Sequence, residues 1–156
     1  MNRGTPLDPV DFSRVIRNTP LVSIDLIVVH PQGKVLLGRR SNAPAKGMWF
    51  VPGGRIHKDE RIQQALERVI LEELGPQESA VESSLRGVFD HLYDENVFGD
   101  PDYGTHFVVL AHQLKLDPSL LNLPDEQHNE FRWWPIDQLL ASAEVHPYTQ
   151  AYFHRD

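Results

Sequence analysis

Gly53-Gly54, Glu60, Arg68 and the pair Glu72-Glu73 are the residues of this chain whose types and spacing read most directly as chemistry. Five residues separate Gly54 from Glu60, and seven separate Glu60 from Arg68. On a helix Arg68 and Glu72 are i,i+4 neighbours, while Glu73 is rotated by about 100° from Glu72. A double-glycine turn lets backbone carbonyls approach a cation, and carboxylates from a following helix complete an oxygen-rich site. Hard oxygen donors, no cysteine anywhere in the chain and phosphate as a natural co-ligand point to Mg2+ or Mn2+. The plainer alternative is an amphipathic helix whose glutamates and arginines form only solvated pairs.

Other residues could serve the same site. Arg40 at a strand end and Arg55 beside the glycines suit a phosphate-bearing ligand, because the planar guanidinium fork matches phosphate oxygens and stays charged. Asp25 interrupts an apolar strand, so it needs a partner, either an arginine or a ligand hydroxyl. His91 and Tyr93 alternate along a strand after Phe89, and either line a ligand pocket or pack at the strand's end.

The elements that must position these groups are legible in outline. Asp8 before Pro9 marks a helix running to about residue 17. Residues 21–30 are β-forming, and Pro31-Gln32-Gly33 turns the chain into 34–39, which predicts a hairpin. A short strand at 49–51 leads to the glycines. Between 59 and 75 the period becomes helical, with Ile62, Leu66, Val69, Ile70 and Leu74 on one stripe and Gly75-Pro76 as the stop. Strands follow at 85–93, 105–116 and 130–134, then helices opening at Pro135 and near His146. Loops 96–104 and 121–127 are rich in Asp, Pro and Gly, the kind of segment that often carries function. The expected class is α+β, an αβα sandwich built on a mixed sheet.

The chain's 156 residues suit one domain, 1–156. A net charge of −7 argues against nucleic-acid or anionic-lipid partners, and no segment has the length of a membrane span or a secretory leader. A cytoplasmic location is the expectation.

From Gly54 to Pro76 the pattern resembles the Nudix box, G-x5-E-x7-R-E-U-x-E-E-x-G-U, with Val69 in place of the first glutamate after the arginine and Pro76 at the final apolar position. Losing one carboxylate weakens the metal site and disfavours the multi-metal pyrophosphate hydrolysis usual in that family. Ser23-Ile24-Asp25, Leu37-Gly38-Arg39-Arg40, the run from Gly47 to Arg55, and Leu123-Pro124-Asp125-Glu126-Gln127-His128 are similar to the GDP-mannose mannosyl hydrolase branch, which also lacks that glutamate.

This resemblance implies a Nudix fold, a homodimer and hydrolysis of GDP-mannose to GDP and mannose with inversion at C1, with GDP-glucose as an alternative substrate. It implies Mg2+ held by the Gly53 carbonyl, Glu73 and Gln127, and His128 as general base toward water. Arg40 and Arg55 would stabilise the departing diphosphate. Arg68 would orient the glutamates, and Glu72 would be either a ligand or an Arg68 partner. Phe12 would stack on guanine, or else pack the first helix. Two rivals stand beside this reading. One is a pyrophosphohydrolase using Asp94, Glu95 or Asp102; the other is a nucleotide-sugar sensor without turnover.

Overall fold

The computed structural model describes residues 7–117, 121 and 128–154, and the side chains of His128 and Asn129 lie outside the described set. Helix α1 spans Pro9–Asn18, with Asp8 Oδ1 accepting from the Asp11 amide at 2.9 Å and Pro9 in its first turn. Strand β1 covers Leu21–Val28 and β2 covers Lys34–Arg40, joined by the expected turn with Gly33 at φ +78°.

The hairpin expectation fails beyond that turn. Val29 and Val35 make one bridge, after which β1 and β2 enter different sheets. The burial of both strands explains the divergence. Ile24, Leu26, Ile27 and Val28 are 0–1% exposed, as are Val35, Leu36 and Leu37, so each strand must be covered on both faces. An isolated hairpin cannot do that.

The remaining strands are β3 Trp49–Phe50, β4 Gly53–Arg55, β5 Glu82–Tyr93, β6 Thr105–Lys115 and β7 His128–Pro135. One sheet has the order β4-β1-β6-β5 and the other β3-β2-β7. β1 runs parallel to β6 and antiparallel to β4, so the first sheet is mixed. Gly53-Gly54 is therefore a strand rather than the turn its composition suggests, and neither glycine has a positive φ.

Helix α2 spans Ile62–Leu74 and packs Ala65, Leu66, Val69, Ile70 and Leu74 against Ile24, Leu26 and Val28 of β1 and Leu36 of β2. Ile62 departs from the expected stripe. It opens the first turn, ahead of the buried run that starts at Ala65, and is 54% exposed. Gly75 ends the helix at φ +82°. Helices α3, Ile136–Ala141, and α4, Pro147–Gln150, lie at the opposite core, where Leu139, Val145 and Tyr152 pack with Ile27, Val35, Leu37 and Ala111. Helix, sheets, helix is the expected αβα sandwich. α4 is shorter than the sequence suggests, and Pro135 caps α3 rather than beginning it. Among the described residues no helix is long and apolar enough to cross a membrane.

Candidate active site

β4 lies so close to β1 that its first residue must be glycine. Asp25 is opposite Gly53 in the register, and a Cβ added to Gly53 would come within 2.5 Å of Asp25 Oδ1 and 2.6 Å of the Ile24 carbonyl. Gly54 is also confined, since its Cβ would sit 3.1 Å from Val69 Cγ2. Val69 is completely buried in the α2 core, so the position where the box carries a glutamate is here a packing position.

Helical phase separates the two carboxylates of α2. Glu73 is 2% exposed on the face toward β1 and β4, whereas the Glu72 side chain is 43% exposed and accepts a 2.9 Å hydrogen bond from Arg68 Nη1. Glu72 is thus an Arg68 partner. Arg68 also donates from Nε to Glu60 Oε2 at 2.8 Å, and from Nη2 to Glu60 Oε1 at 2.9 Å and to the Arg55 carbonyl at 2.7 Å. The Arg68 hydrogen bonds and the His57 amide pull the Glu60 carboxyl down to about 2. One arginine thereby ties the approach to α2, the helix itself and the strand carrying Arg55.

A cavity of about 360 Å3 opens beside these elements, lined by Asp25, Arg40, Gly53, Arg55, Glu73, His91 and Tyr93 among others. Eight of the residues singled out in the sequence, Gly54 included, therefore share one wall or another of a single pocket. Arg40 lies 5.4 Å over the Phe50 ring; burial lowers its pKa while Tyr93, Asp25 and Glu73 oppose the shift. The Arg55 guanidinium sits 5.0 Å over Phe12, whose ring meets Phe98 edge to face at 6.0 Å. Phe12 is engaged by α1 packing and by Arg55.

Asp25 has a partner different from those expected. Its Oδ2 accepts a 2.6 Å hydrogen bond from the Tyr152 hydroxyl, and Arg40 acts on it only through charge. Burial pushes the Asp25 carboxyl up to about 7, against the opposing pull of Tyr152 and Arg40 and with a further push from Glu73. His91 is 6% exposed, stacks flat on Tyr148 at 4.3 Å, and is driven down to about 4 by burial and by His146. It is neutral at pH 7. Burial raises the Tyr93 phenol, so that hydroxyl stays protonated.

Sequence reasoning did not assign a site role to Tyr148, Tyr152 or His146. His146 stacks on Phe50 at 4.7 Å and caps α4 by accepting from the Tyr148 amide at 3.0 Å. The signal was the His-Pro-Tyr-x-x-x-Tyr spacing at 146–152, which puts the two tyrosines one helical turn apart.

His128 is opposite Arg40 in the β2–β7 register, and its side chain falls outside the described set. Gln127 lies outside the described residues altogether. Among the described residues no three His, Asp or Glu side chains gather as a metal cluster. Gly53 and Glu73 nonetheless share the cavity wall, and the side of Gly53 that a Cβ would occupy is taken up by Asp25 Oδ1 and the Ile24 carbonyl.

Residues 19–155 match the NUDIX domain family. The chain is 40% identical over 144 residues to the low-salt glycan biosynthesis protein Agl8 of Haloferax volcanii, covering 91% of this chain and 85% of that protein. It is 25% identical over 128 residues to an RNA pyrophosphohydrolase of Caulobacter vibrioides, covering 79% and 74%. The crystal structure of a MutT NUDIX hydrolase from Burkholderia pseudomallei matches with a TM-score of 0.66 at 25% identity, over 86% of this chain and 96% of that one. With the box, the sandwich and the arginine-lined cavity already in place, this chain belongs to the Nudix hydrolases.

Proposed function

We propose that this Nudix hydrolase, read as a single domain over 1–156, cleaves GDP-mannose, or GDP-glucose, at the bond between sugar C1 and the diphosphate oxygen. The products are GDP and the free sugar with inverted configuration. The observation that carries this reading is the exchange of a carboxylate for a core side chain on α2. Val69 is buried on Gly54, so the helix presents Glu73 alone to a cavity flanked by Arg40 and Arg55. That donor set suits gripping a diphosphate as a leaving group better than assembling several cations around an attacked phosphorus. The Agl8 relative, named for glycan biosynthesis, is consistent with a sugar-bearing substrate.

Nudix hydrolases as a family use divalent cations. Here Gly53, Glu73 and Gln127 would hold Mg2+ or Mn2+, whose positive charge neutralises the diphosphate. Arg40 and Arg55 orient the diphosphate and take up charge as the C1–O bond breaks, acting from fixed positions braced by Phe50 and Phe12. His128 removes a proton from the water that attacks C1 on the face opposite the leaving group. Asp25 contacts a sugar hydroxyl, and neutral His91 and Tyr93 complete the pocket. Phe12 braces Arg55, and its stacking on guanine rests on the resemblance. The homodimer and the cytoplasmic location rest on the resemblance and composition.

Incubation with GDP-mannose and Mg2+ followed by product identification tests the reading. GDP plus free mannose supports it, and GMP plus mannose 1-phosphate overturns it. The latter outcome is the second reading, pyrophosphate cleavage, which the named activity of the Caulobacter relative favours. Against it, Asp94, Glu95 and Asp102 do not line the cavity. Glu95 Oε1 accepts from the Ala45 amide, and the Asp102 amide is tied to Asp100. A protein that binds the nucleotide sugar and yields no product would be the sensor.

A further inference from the structure

The last described turn of the chain reaches two residues of the cavity wall, Asp25 and His91, through one hydroxyl. Tyr152 is 5% exposed, and its ring meets Phe89 edge to face at 4.9 Å. Its backbone is anchored in turn. The Tyr152 amide donates to the Thr149 carbonyl, and Thr149 Oγ1 accepts from the Val51 amide at 3.2 Å. Gln150 Nε2 donates to the Leu139 and Ser142 carbonyls, both at 3.0 Å. Tyr148 adds a second fastening, its hydroxyl accepting from the Leu92 amide at 3.0 Å and donating to the Leu92 carbonyl at 2.8 Å. The Tyr152 hydroxyl is therefore delivered by a braced segment rather than by a loose terminus.

That hydroxyl has one proton and two close partners, Asp25 Oδ2 at 2.6 Å and His91 Nε2 at 3.4 Å. The shorter contact takes the proton, because a carboxylate is the stronger acceptor, and the longer one leaves the hydroxyl facing His91 Nε2. The terminal torsion of an aspartate is otherwise broad. Fixing Oδ2 leaves Oδ1 against the Gly53 backbone at the cavity wall.

We propose that Tyr152 is a positioning residue, holding the Asp25 carboxylate so that Oδ1 is presented to a hydroxyl of the substrate's sugar. The sugar half of this statement rests on the GDP-sugar reading above; the pairing of Tyr152 with Asp25 does not. Its test compares the wild-type pair, Tyr152→Phe, Asp25→Asn and the double variant, all in a His128→Gln background that suppresses turnover, for calorimetric affinity toward GDP and GDP-mannose, each with Mg2+. Tyr152→Phe should leave GDP affinity within about twofold and weaken GDP-mannose about tenfold, with no further loss once Asp25 is Asn. Equal losses on both ligands would mean a general packing role, and multiplicative losses in the double variant would mean the two residues act separately; either overturns the proposal. A wild-type pair that binds GDP-mannose no tighter than GDP ends the sugar assignment alone. Thermal melts of the same four proteins then decide the pairing. A Tm loss from Tyr152→Phe that disappears in the Asp25→Asn background supports it, and the same loss in both backgrounds refutes it.

Discussion

Replacing Arg68 with Met keeps an unbranched apolar stem and removes the guanidinium with its charge, which isolates what that group contributes. Four hydrogen bonds go with it, two to Glu60, one to Glu72 and one to the Arg55 carbonyl. The Glu72 bond is with a side chain 43% exposed and contributes little, about 0.3–0.5 kcal/mol. The Glu60 side chain is only 5% exposed, so Arg68→Met leaves a poorly solvated carboxylate without its cation, which costs about 3–5 kcal/mol. For a protein of this size that corresponds to a Tm decrease of roughly 6–20 °C at pH 7.

The pH dependence supplies the second half of the test. Because the folded Glu60 carboxyl is held down at about 2, its contribution to stability is complete above the unfolded-state value near ~4.5 and is lost as pH falls toward 2. Melts from pH 8 to pH 3 should show wild type losing this increment across the acid range, while Arg68→Met, lacking it throughout, converges on wild type as pH drops. A Met variant that melts within 2 °C of wild type at pH 7 (about 1 kcal/mol or less), or a difference that does not shrink in acid, would refute the reasoning.

The remaining expectations concern catalysis. Glu73→Gln should weaken Mg2+ binding and lower kcat at least ~100-fold, if losing a metal ligand exceeds the ~10–100-fold typical of outer residues, while Glu72→Gln should do much less; the reverse order, in titrations and steady-state rates, would put the cation on Glu72. His128→Gln should lower kcat by about 10²–10⁴-fold with KM changed far less, and should abolish the rising limb of the pH–rate profile. His91 cannot supply a limb at neutral pH, being held at about 4, whereas Asp25, pushed up to about 7, can; in the Asp25→Asn background, a limb that survives His128→Gln would remove His128 as the base.

Local signals made much of the site readable. The glycines, the charged residues of α2 and the apolar stripe are all close in sequence, and helical period alone put Glu73 and Glu72 on different faces. Arg40, Arg55, His91 and Tyr93 line one cavity. What escaped was non-local. β1 and β2 look like a hairpin because the turn between them is correct, yet each strand needs cover on two faces, and only the assembled sandwich supplies it. Gly53 was read as a turn glycine from its pair with Gly54. Its true requirement is the close approach of Asp25 Oδ1 across β1, which no spacing within the segment encodes. The sequence points to an arginine or a ligand hydroxyl as the partner of Asp25, because only charge complementarity and ligand chemistry are visible in composition. The hydroxyl that fills that place comes from Tyr152, 127 positions away, through packing of the final turn.

The claim at the centre of this account is that water attacks carbon and not phosphorus. Turnover of GDP-mannose in 18O-labelled water with Mg2+, read by mass spectrometry of the separated products, addresses it without reference to any variant. The account predicts label in mannose and none in GDP, with the β-anomer formed first. Label in a phosphate of GMP or of mannose 1-phosphate would contradict it.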